Sequence, residues 1–254
     1  MSGFCRVIIV SIGLLLLVST ATATEDRQWQ ALFAKANLAY KEARFQEAAE
    51  GYQELIRSGY GAGVLYYNLG NAYFRQDQLG RAILSYERAR FFIPRDGDLN
   101  FNLRHAYLLV EDLIPESQGF ESLSLFWLDS LRLDEVFWGF AVLNVIFWLV
   151  LLIRLYFRAD WNYYLLLVLL VFWFLAGLSF GLKWYQVGND HRAVVVEDEV
   201  NILAGPDPED TVLFRLHAGT ITHYERSEDG WYLVTLPDEK RGWVKAEAIE
   251  LIRN

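Results

Sequence analysis

The chain contains two long apolar runs, VFWGFAVLNVIFWLVLLI (Val136–Ile153) and WNYYLLLVLLVFWFLAGLSFGL (Trp161–Leu182), which are separated only by the short link Arg154–Asp160. At about 1.5 Å of rise per residue, helices over these runs would be about 27 and 33 Å long, enough to cross the hydrocarbon core of a bilayer. Neither run contains Asp, Glu, Lys, Arg or His, which argues against an ion or proton pathway. We predict a helical hairpin that places the segments before and after it on one face of a membrane.

The orientation of this hairpin follows from its basic residues. The link carries Arg154 and Arg158, whereas the stretch 111–135 carries a single basic residue, Arg132. An excess of Lys and Arg is typical of the cytoplasmic loops of membrane proteins. We therefore assign transmembrane helices to residues 136–157 and 161–182 and a cytoplasmic link to residues 158–160.

A third apolar run lies at the amino terminus. Arg6 precedes Val7–Val18, and the small residues Ala21 and Ala23 follow at the spacing of a signal-peptidase site. We predict a secretory signal peptide over residues 1–23, with an uncleaved signal anchor as the alternative. In either case the segment that follows is exported, which agrees with the orientation given by the arginines.

Composition narrows the functional classes. Hydrophobic residues make up 54% of the chain and aromatic residues 16%, and the formal net charge is −9. An acidic chain without a basic cluster is a poor candidate for binding nucleic acid, and we expect none. The single cysteine, Cys5, lies in the predicted signal peptide, so the exported chain has no disulfide or thiol chemistry.

Residues 24–115 repeat at a spacing of 34. The clearest matches join Asn37 to Asn71, Tyr40 to Phe74, Phe45 to Leu79, Ala48 to Ala82 and Tyr52 to Tyr86. A partial third copy repeats Asn68-Leu69 and Ala72-Tyr73 as Asn102-Leu103 and Ala106-Tyr107. A fixed period of this length predicts stacked helical hairpins. The small residues Gly70 and Ala82 would let the two helices of one hairpin approach closely.

The middle copy resembles the tetratricopeptide repeat (TPR), with Tyr66–Tyr73 followed by Ala82, Tyr86, Ala89 and Pro94. The resemblance implies about two and a half repeats over residues 24–115, closed by a capping helix at about Leu99–Val110. It also implies a concave groove that binds protein partners. The implied groove residues are Phe33, Asn37, Tyr40, Lys41, Tyr67, Asn71, Phe74, Arg75 and His105. Under a second interpretation, Asn37 and Asn71 only form hydrogen bonds within the stack.

Residues 116–135 connect the repeats to the first apolar run. Leu, Phe and Trp alternate there with Glu, Asp and Ser, which fits an amphipathic helix in the membrane interface or an irregular connector. In the second run, the spacing of Gly177 and Gly181 would permit close packing of the two helices.

Short β-type runs begin at Ala193 and alternate with turn signals. The predicted strands are Ala193–Glu197, Val200–Leu203, Thr211–Leu216, Thr220–Glu225, Trp231–Leu236 and Gly242–Val244. Short strands at this spacing indicate a small closed barrel, which we assign to residues 190–254.

Four segments of this region resemble the bacterial SH3-like domain and follow one another in that family's order. They are Val200–Pro206, Leu216–Thr220, Gly230–Val234 and Arg241–Val244. Relatives of this fold bind peptides, in some cases those of the cell wall, so the resemblance implies a binding role. The candidate binding residues are Tyr224, Tyr232 and Trp243, although Trp243 fits core or rim packing first.

The sequence shows no catalytic constellation. The four histidines are divided between two regions, and no acidic partner stands at the spacing of a metal site: His105, His191, His217 and His223. Gly61 and Gly63 are not followed by the Lys-Ser or Lys-Thr pair of a phosphate-binding loop. We therefore expect a protein that is not an enzyme and that uses no cofactor or metal.

The order of the parts resembles the BatE family of the bacterial aerotolerance operon. The fold class is then a multi-domain membrane protein with an α-helical TPR array, a transmembrane helical hairpin and a small all-β SH3-like barrel. The resemblance implies a non-catalytic scaffold in the bacterial inner membrane, with both soluble domains periplasmic. Its implied partners are von Willebrand factor A-type membrane proteins of the same operon, in an oxidative-stress complex. The alternative is a peptidoglycan-binding protein or envelope-stress sensor that acts through the SH3-like domain.

Overall fold

A computed structural model of the chain describes residues 28–60, 63–112, 126–156 and 160–253. The predicted signal peptide, residues 116–125 of the predicted connector, and all but the last residue of the predicted link 158–160 lie outside the described residues. The described chain has three parts in sequence order: a group of short helices, an apolar helical hairpin and an antiparallel sheet.

Five helices form the first part, which we call the helical region (28–112). They are α1 (28–41), α2 (Phe45–Arg57), α3 (Gly63–Phe74), α4 (Leu79–Phe92) and α5 (Gly97–Tyr107). Helix α3 packs against both α2 and α4, and α4 packs against α5. The turns after α1 and α3 each contain one residue in left-handed backbone conformation, Ala43 and Asp77, both with φ of 59°. The 34-residue spacing of the sequence is therefore also present in the backbone.

In the helical region, α1 and α2 form one hairpin and α3 and α4 form a second. The two helices of each of these hairpins meet at small residues. A Cβ atom added to Gly70 would lie 2.6 Å from the ring of Tyr86 and 3.2 Å from the carbonyl oxygen of Ala82. A Cβ atom added to Gly51 would lie 2.9 Å from the Cβ atom of Ala36. Side chains larger than these would hold the paired helices apart, as expected from the small residues of the repeat.

The last helix of this region begins earlier than predicted. We expected a helix over about Leu99–Val110, and the structure has α5 at Gly97–Tyr107. Asp96 precedes it and accepts a hydrogen bond from the backbone N–H of Leu99 at 2.8 Å, which satisfies one of the free donors of the first turn.

The hairpin consists of α7 (Leu133–Tyr156) and α8 (Asp160–Gly188), and the four-residue helix α6 (Phe126–Asp129) precedes it. Their mean hydropathies of 2.5 and 2.6 and their lengths would allow both helices to cross a membrane. Almost all of their apolar surface is exposed, which is consistent with membrane anchoring. Helix α8 continues beyond Leu182, the predicted end of the second span.

Aromatic rings fill the seam between α7 and α8. The ring of Phe140 stacks on that of Phe180 with centroids 6.0 Å apart, and Phe147 stacks on Trp173 at 5.7 Å. A Cβ atom at Gly177 would lie 3.2 Å from the ring of Phe140. Among the described residues, nothing lies within 4 Å of the same position at Gly181. Only one glycine of the predicted pair therefore lies in the seam.

Seven strands form the third part, which we call the β domain (190–253). They are β1 (Arg192–Val195), β2 (Glu199–Leu203), β3 (Val212–His217), β4 (Ile221–Glu228), β5 (Trp231–Thr235), β6 (Arg241–Lys245) and β7 (Ile249–Leu251). The first six correspond to the predicted strands within a few residues. Strand β7 follows a short 3-10 helix, Ala246–Ala248, and was not predicted.

The strands form one antiparallel sheet in the order β3-β2-β6-β5-β4-β1-β7. The edge strands β3 and β7 do not pair with each other among the described residues, so the sheet is not closed. The predicted closed barrel is not confirmed. Buried aliphatic side chains from β1, β2, β5 and β6 nevertheless form one core, with Val195, Ile202, Val234 and Val244 at 1% exposure or less.

Candidate functional site

The helical region has a shallow depression of about 170 Å³. Its lining residues are Asn37, Tyr40, Lys41, Tyr52, Asn68 and Asn71. Four of them belong to the predicted groove, and the structure adds Tyr52 and Asn68. Tyr52 recurs as Tyr86 at the 34-residue spacing, but that recurrence indicated packing rather than a place in a surface depression.

Two equivalent hydrogen bonds orient the amides of this surface. The hydroxyl of Tyr52 donates to Oδ1 of Asn37, and the hydroxyl of Tyr86 donates to Oδ1 of Asn71, both at 2.7 Å. Oδ1 of Asn71 also accepts from Nδ2 of Asn102 at 2.9 Å. Because both amide oxygens are engaged within the stack, the NH₂ groups of Asn37 and Asn71 are the ends available to a ligand.

Burial keeps these tyrosines protonated. It raises the pKa of Tyr52 to about 12 and also raises the pKa of Tyr86. Both hydroxyls therefore remain hydrogen-bond donors throughout the physiological pH range. The exposed ammonium group of Lys41 adds a further donor, so the depression offers more donors than acceptors.

Three other predicted groove residues, Tyr67, Phe74 and His105, lie on α3 and α5. The ring of Phe74 lies 5.8 Å from that of His105. The hydroxyl of Tyr67 accepts a hydrogen bond from Nδ2 of Asn102 at 3.2 Å. Since Asn102 also contacts Asn71, Tyr67 is connected to the depression through Asn102.

The last two predicted groove residues, Phe33 and Arg75, each contact aromatic side chains. Phe33 stacks on Trp29 with ring centroids 5.6 Å apart, and its ring lies 6.3 Å from that of Tyr52. The guanidinium of Arg75 lies 4.4 Å from the centre of the Phe45 ring. Phe33 therefore extends the surface on the α1 side, whereas Arg75 covers the start of α2.

The predicted β-domain residues fall into two groups. Tyr224 and Tyr232 are half-buried and form an edge-to-face pair with centroids 5.1 Å apart. Trp243 is only 6% exposed and packs in a small cluster with Leu203 and Trp231. The tyrosine pair is thus the more accessible of the two groups.

Metal ligands do not converge in the part of the chain that the structure describes. Across residues 28–60, 63–112, 126–156 and 160–253, no group of three His, Cys, Asp or Glu side chains could hold a metal ion. His105 contacts Phe74, and His217 contacts Asp112, so these two histidines lie in different surroundings.

A buried polar cluster that the sequence analysis missed joins the helical region to the β domain. Glu87 on α4 is 1% exposed, and its carboxylate pairs with Arg192 on β1 and with Arg90, both at 3.1 Å. The hydroxyl of Tyr107 donates to the same carboxylate at 2.7 Å. Arg192 also pairs with Asp190 at 2.8 Å.

The charges of this cluster balance, with two carboxylates and two guanidinium groups. Burial opposes ionisation of Asp190, but the hydrogen bonds and charge of Arg192 outweigh it and lower the pKa of Asp190. Burial likewise disfavours the charged form of Arg192, yet Asp190 and Glu87 raise the pKa of that guanidinium. Asp190 and Arg192 therefore remain charged, and each is paired with an opposite charge, which satisfies the condition for burying ions.

The helical region and the β domain also contact each other through backbone atoms. A Cβ atom at Gly80, near the start of α4, would lie 2.3 Å from the carbonyl oxygen of Val195. Arg88 donates to the carbonyl oxygens of Leu251 at 2.7 Å and Ile252 at 3.2 Å. Helix α4 thus packs against β1 and reaches the end of the edge strand β7.

A second polar contact lies at the end of the helical region. One oxygen of the Asp112 carboxylate accepts from the backbone N–H of His217 at 2.7 Å and from the hydroxyl of Thr220 at 2.6 Å. The other oxygen lies 2.9 Å from Nδ1 of His217. Burial alone would raise the pKa of Asp112, but these hydrogen bonds lower it, and the hydrogen bond to Asp112 raises the pKa of His217.

Both regions lie at one end of the apolar hairpin. Arg95, between α4 and α5, pairs with Glu135 at the start of α7. Arg253 of the β domain donates to the carbonyl oxygen of Val187, near the end of α8. Because α7 and α8 are antiparallel, the start of one and the end of the other are the same end.

Comparison with known protein families matches residues 196–250 to the bacterial SH3 domain. The match extends from the residue after β1 into β7, so it covers most of the β domain. A bacterial SH3 domain suggests a protein-binding or peptidoglycan-binding role. No curated protein matches the chain.

Proposed function

We propose that the protein is a non-catalytic adaptor, anchored in a bacterial inner membrane by α7 and α8, that binds partners on the periplasmic side. The observation that supports this best is the packing of the helical region and the β domain together at one end of the hairpin. Such an arrangement holds two binding surfaces in a fixed relation at a membrane face. The topology, with that face exported, follows from the predicted signal peptide and from the arginines of the link.

In this proposal the helical region is a TPR array and its depression binds a partner protein. The recurrence of the Tyr–Asn hydrogen bond and of the left-handed turn at a spacing of 34 supports the assignment. The amide donors of Asn37 and Asn71, with Lys41, favour an acceptor-rich segment such as an extended acidic peptide. The partners are von Willebrand factor A-type membrane proteins in an aerotolerance complex, as the order of parts suggests.

Affinity purification of the full chain after mild crosslinking tests this proposal. We expect Lys41→Glu to abolish recovery of the von Willebrand factor A-type proteins, because it places a negative charge in a donor-lined depression. Lys35→Glu is the matched control, since Lys35 is exposed on the same helix but does not line the depression. Equal recovery with both variants would contradict the proposed groove.

Peptidoglycan binding through the β domain is the second candidate, supported by the bacterial SH3 match and by the half-buried pair of Tyr224 and Tyr232. It predicts that the chain is retained on isolated sacculi and released by Tyr232→Ala. Retention that Lys41→Glu leaves intact, with no partner protein recovered, would favour this candidate over the scaffold.

A further inference from the structure

Arg154 stands apart from the other cations of the hairpin. It lies in the last turn of α7, at the end of the hairpin away from the helical region and the β domain. Its Nη1 atom is buried and has no hydrogen-bond partner within the ranges that the structure describes. Its guanidinium lies 5.0 Å from the centre of the Tyr163 ring on α8. Among the side chains that the structure describes, none forms an ion pair with it.

The cations at the opposite end of the hairpin do have protein partners. Arg132 pairs with Asp134 at 2.9 Å, and Nζ of Lys183 donates to the carbonyl oxygen of Leu128 at 2.6 Å. Among the described residues, an unpaired guanidinium donor therefore occurs at this end of the hairpin and not at the opposite end.

The surroundings of Arg154 favour a phosphate ligand. Leaving a buried donor of a charged group without an acceptor is unfavourable, so an external acceptor would stabilise this arrangement. The planar guanidinium fork matches the oxygens of a phosphate, and it lies over the ring of Tyr163. If the hairpin crosses a membrane, the last turn of α7 lies at the level of the lipid headgroups.

We propose that Arg154, held against Tyr163, binds the phosphate of an anionic phospholipid in the leaflet opposite the helical region and the β domain. The proposal rests on the membrane-spanning hairpin of the proposed function. A headgroup such as that of phosphatidylglycerol offers its phosphate without a competing ammonium group, so it binds better than a zwitterionic headgroup.

Native mass spectrometry of the purified full chain tests this site. After mixing with detergent micelles that contain phosphatidylglycerol or phosphatidylcholine, we expect the wild type to retain phosphatidylglycerol preferentially. Arg154→Gln should weaken that binding about tenfold, in line with the loss of a charge-assisted phosphate contact. Arg154→Lys, which keeps the charge but not the fork, should give an intermediate affinity. Arg132→Gln is the matched control and should bind phosphatidylglycerol like the wild type.

The outcomes distinguish failure of the proposed lipid site from failure of the proposed membrane hairpin. Equal phosphatidylglycerol binding by the wild type and Arg154→Gln, with unchanged circular dichroism, would overturn the site. Displacement of the lipid by an equal concentration of inorganic phosphate would show a free-anion site and would also overturn the proposal. Failure of the chain to enter phosphatidylcholine vesicles would overturn the membrane hairpin, whereas entry without a preference for phosphatidylglycerol would overturn only the lipid site.

Discussion

The two helical hairpins, α1–α2 and α3–α4, share their internal contacts but have different surroundings. Each has a tyrosine hydroxyl bonded to an asparagine at 2.7 Å, and each has a turn residue with φ of 59°. The contact of Gln53 with the hydroxyl of Tyr73 likewise recurs 34 residues later as that of Glu87 with Tyr107. The second hairpin differs in using a carboxylate there, and this carboxylate also receives Arg192 of the β domain.

The outer surface of the second hairpin is thus adapted to receive the sheet. Gln46 and Glu54 on α2 are exposed, whereas their counterparts Gly80 and Arg88 on α4 contact β1 and the end of the chain. Departures from the repeat, rather than the repeat itself, mark the contact between the two regions.

Of the variants that disturb the contact between the second hairpin and the β domain, we expect Glu87→Gln to have the largest effect. Removing one buried charge leaves Arg192 with Asp190 alone, and we expect a loss of about 3 kcal/mol in the free energy of unfolding. Urea unfolding followed by circular dichroism in detergent measures it. Gln53→Ala at the equivalent position should cost about 1 kcal/mol, because it removes only a neutral hydrogen bond. Similar losses in both variants would contradict the assigned role of Glu87.

Gly80→Ala should have the next largest effect. The added methyl group would clash with the carbonyl oxygen of Val195, so α4 and β1 must separate, at a cost of about 2 kcal/mol. We expect faster hydrogen exchange of the β1 amides as a result. Gln46→Ala, the equivalent exposed change on α2, should leave exchange unaltered. Unaltered exchange in Gly80→Ala as well would show that the close approach is absent in solution.

Arg88→Ala should have a smaller effect, about 1 kcal/mol, because it removes hydrogen bonds to two carbonyl oxygens at the rim of the contact. Faster exchange should be confined to β7 and its neighbours. Glu54→Ala provides the comparison on the first hairpin and should change nothing measurable. Accelerated exchange throughout the β domain would mean that Arg88 stabilises more than the sheet edge.

We expect the smallest effect, a change of stability with pH, from the contact of Asp112 with His217. The pKa of Asp112 is lowered in the folded state. Its contribution to the free energy of unfolding is therefore present above about pH 3.8 and is lost as the pH falls through the lower folded pKa. The pKa of His217 is raised in the folded state. Its contribution to the free energy of unfolding is therefore present below about pH 6.5 and is lost as the pH rises through the higher folded pKa. Stability should therefore be greatest between these limits. His217→Gln should remove the decline on the alkaline side, and an unchanged decline would assign it to another group.

Local pattern was sufficient to predict much of the fold. Alternation and turn signals gave six strands within a few residues, and the apolar runs predicted the helices α7 and α8. Strand β7 was missed because Ile249–Leu251 is too short to show alternation. The predicted second span ends at Leu182 because the charged Lys183 follows the apolar run, and the helix itself continues to Gly188.

The contact between the helical region and the β domain could not be predicted in the same way. Glu87 and Arg192 are 105 residues apart, and Arg88 and Ile252 are 164 apart, so no local period relates them. A carboxylate on a helix surface is usually solvated, and Glu87 is indistinguishable from such residues by sequence alone. The available signal was indirect: a glycine at position 80 where the first copy has Gln46. The depression of the helical region differs, because the 34-residue period relates Asn37 to Asn71 and both line it.

The measurement that tests the account most directly is cysteine labelling from outside spheroplasts. In a chain with Cys5→Ser, single cysteines at Ser58→Cys in the helical region, Ser227→Cys in the β domain and Ala159→Cys in the link report the three positions. Ser58 and Ser227 are exposed, so folding does not hide them. An impermeant maleimide should label Ser58→Cys and Ser227→Cys at once and Ala159→Cys only after permeabilisation. Labelling of Ala159→Cys from outside, or protection of either domain, would contradict the proposal that both binding surfaces face the periplasm.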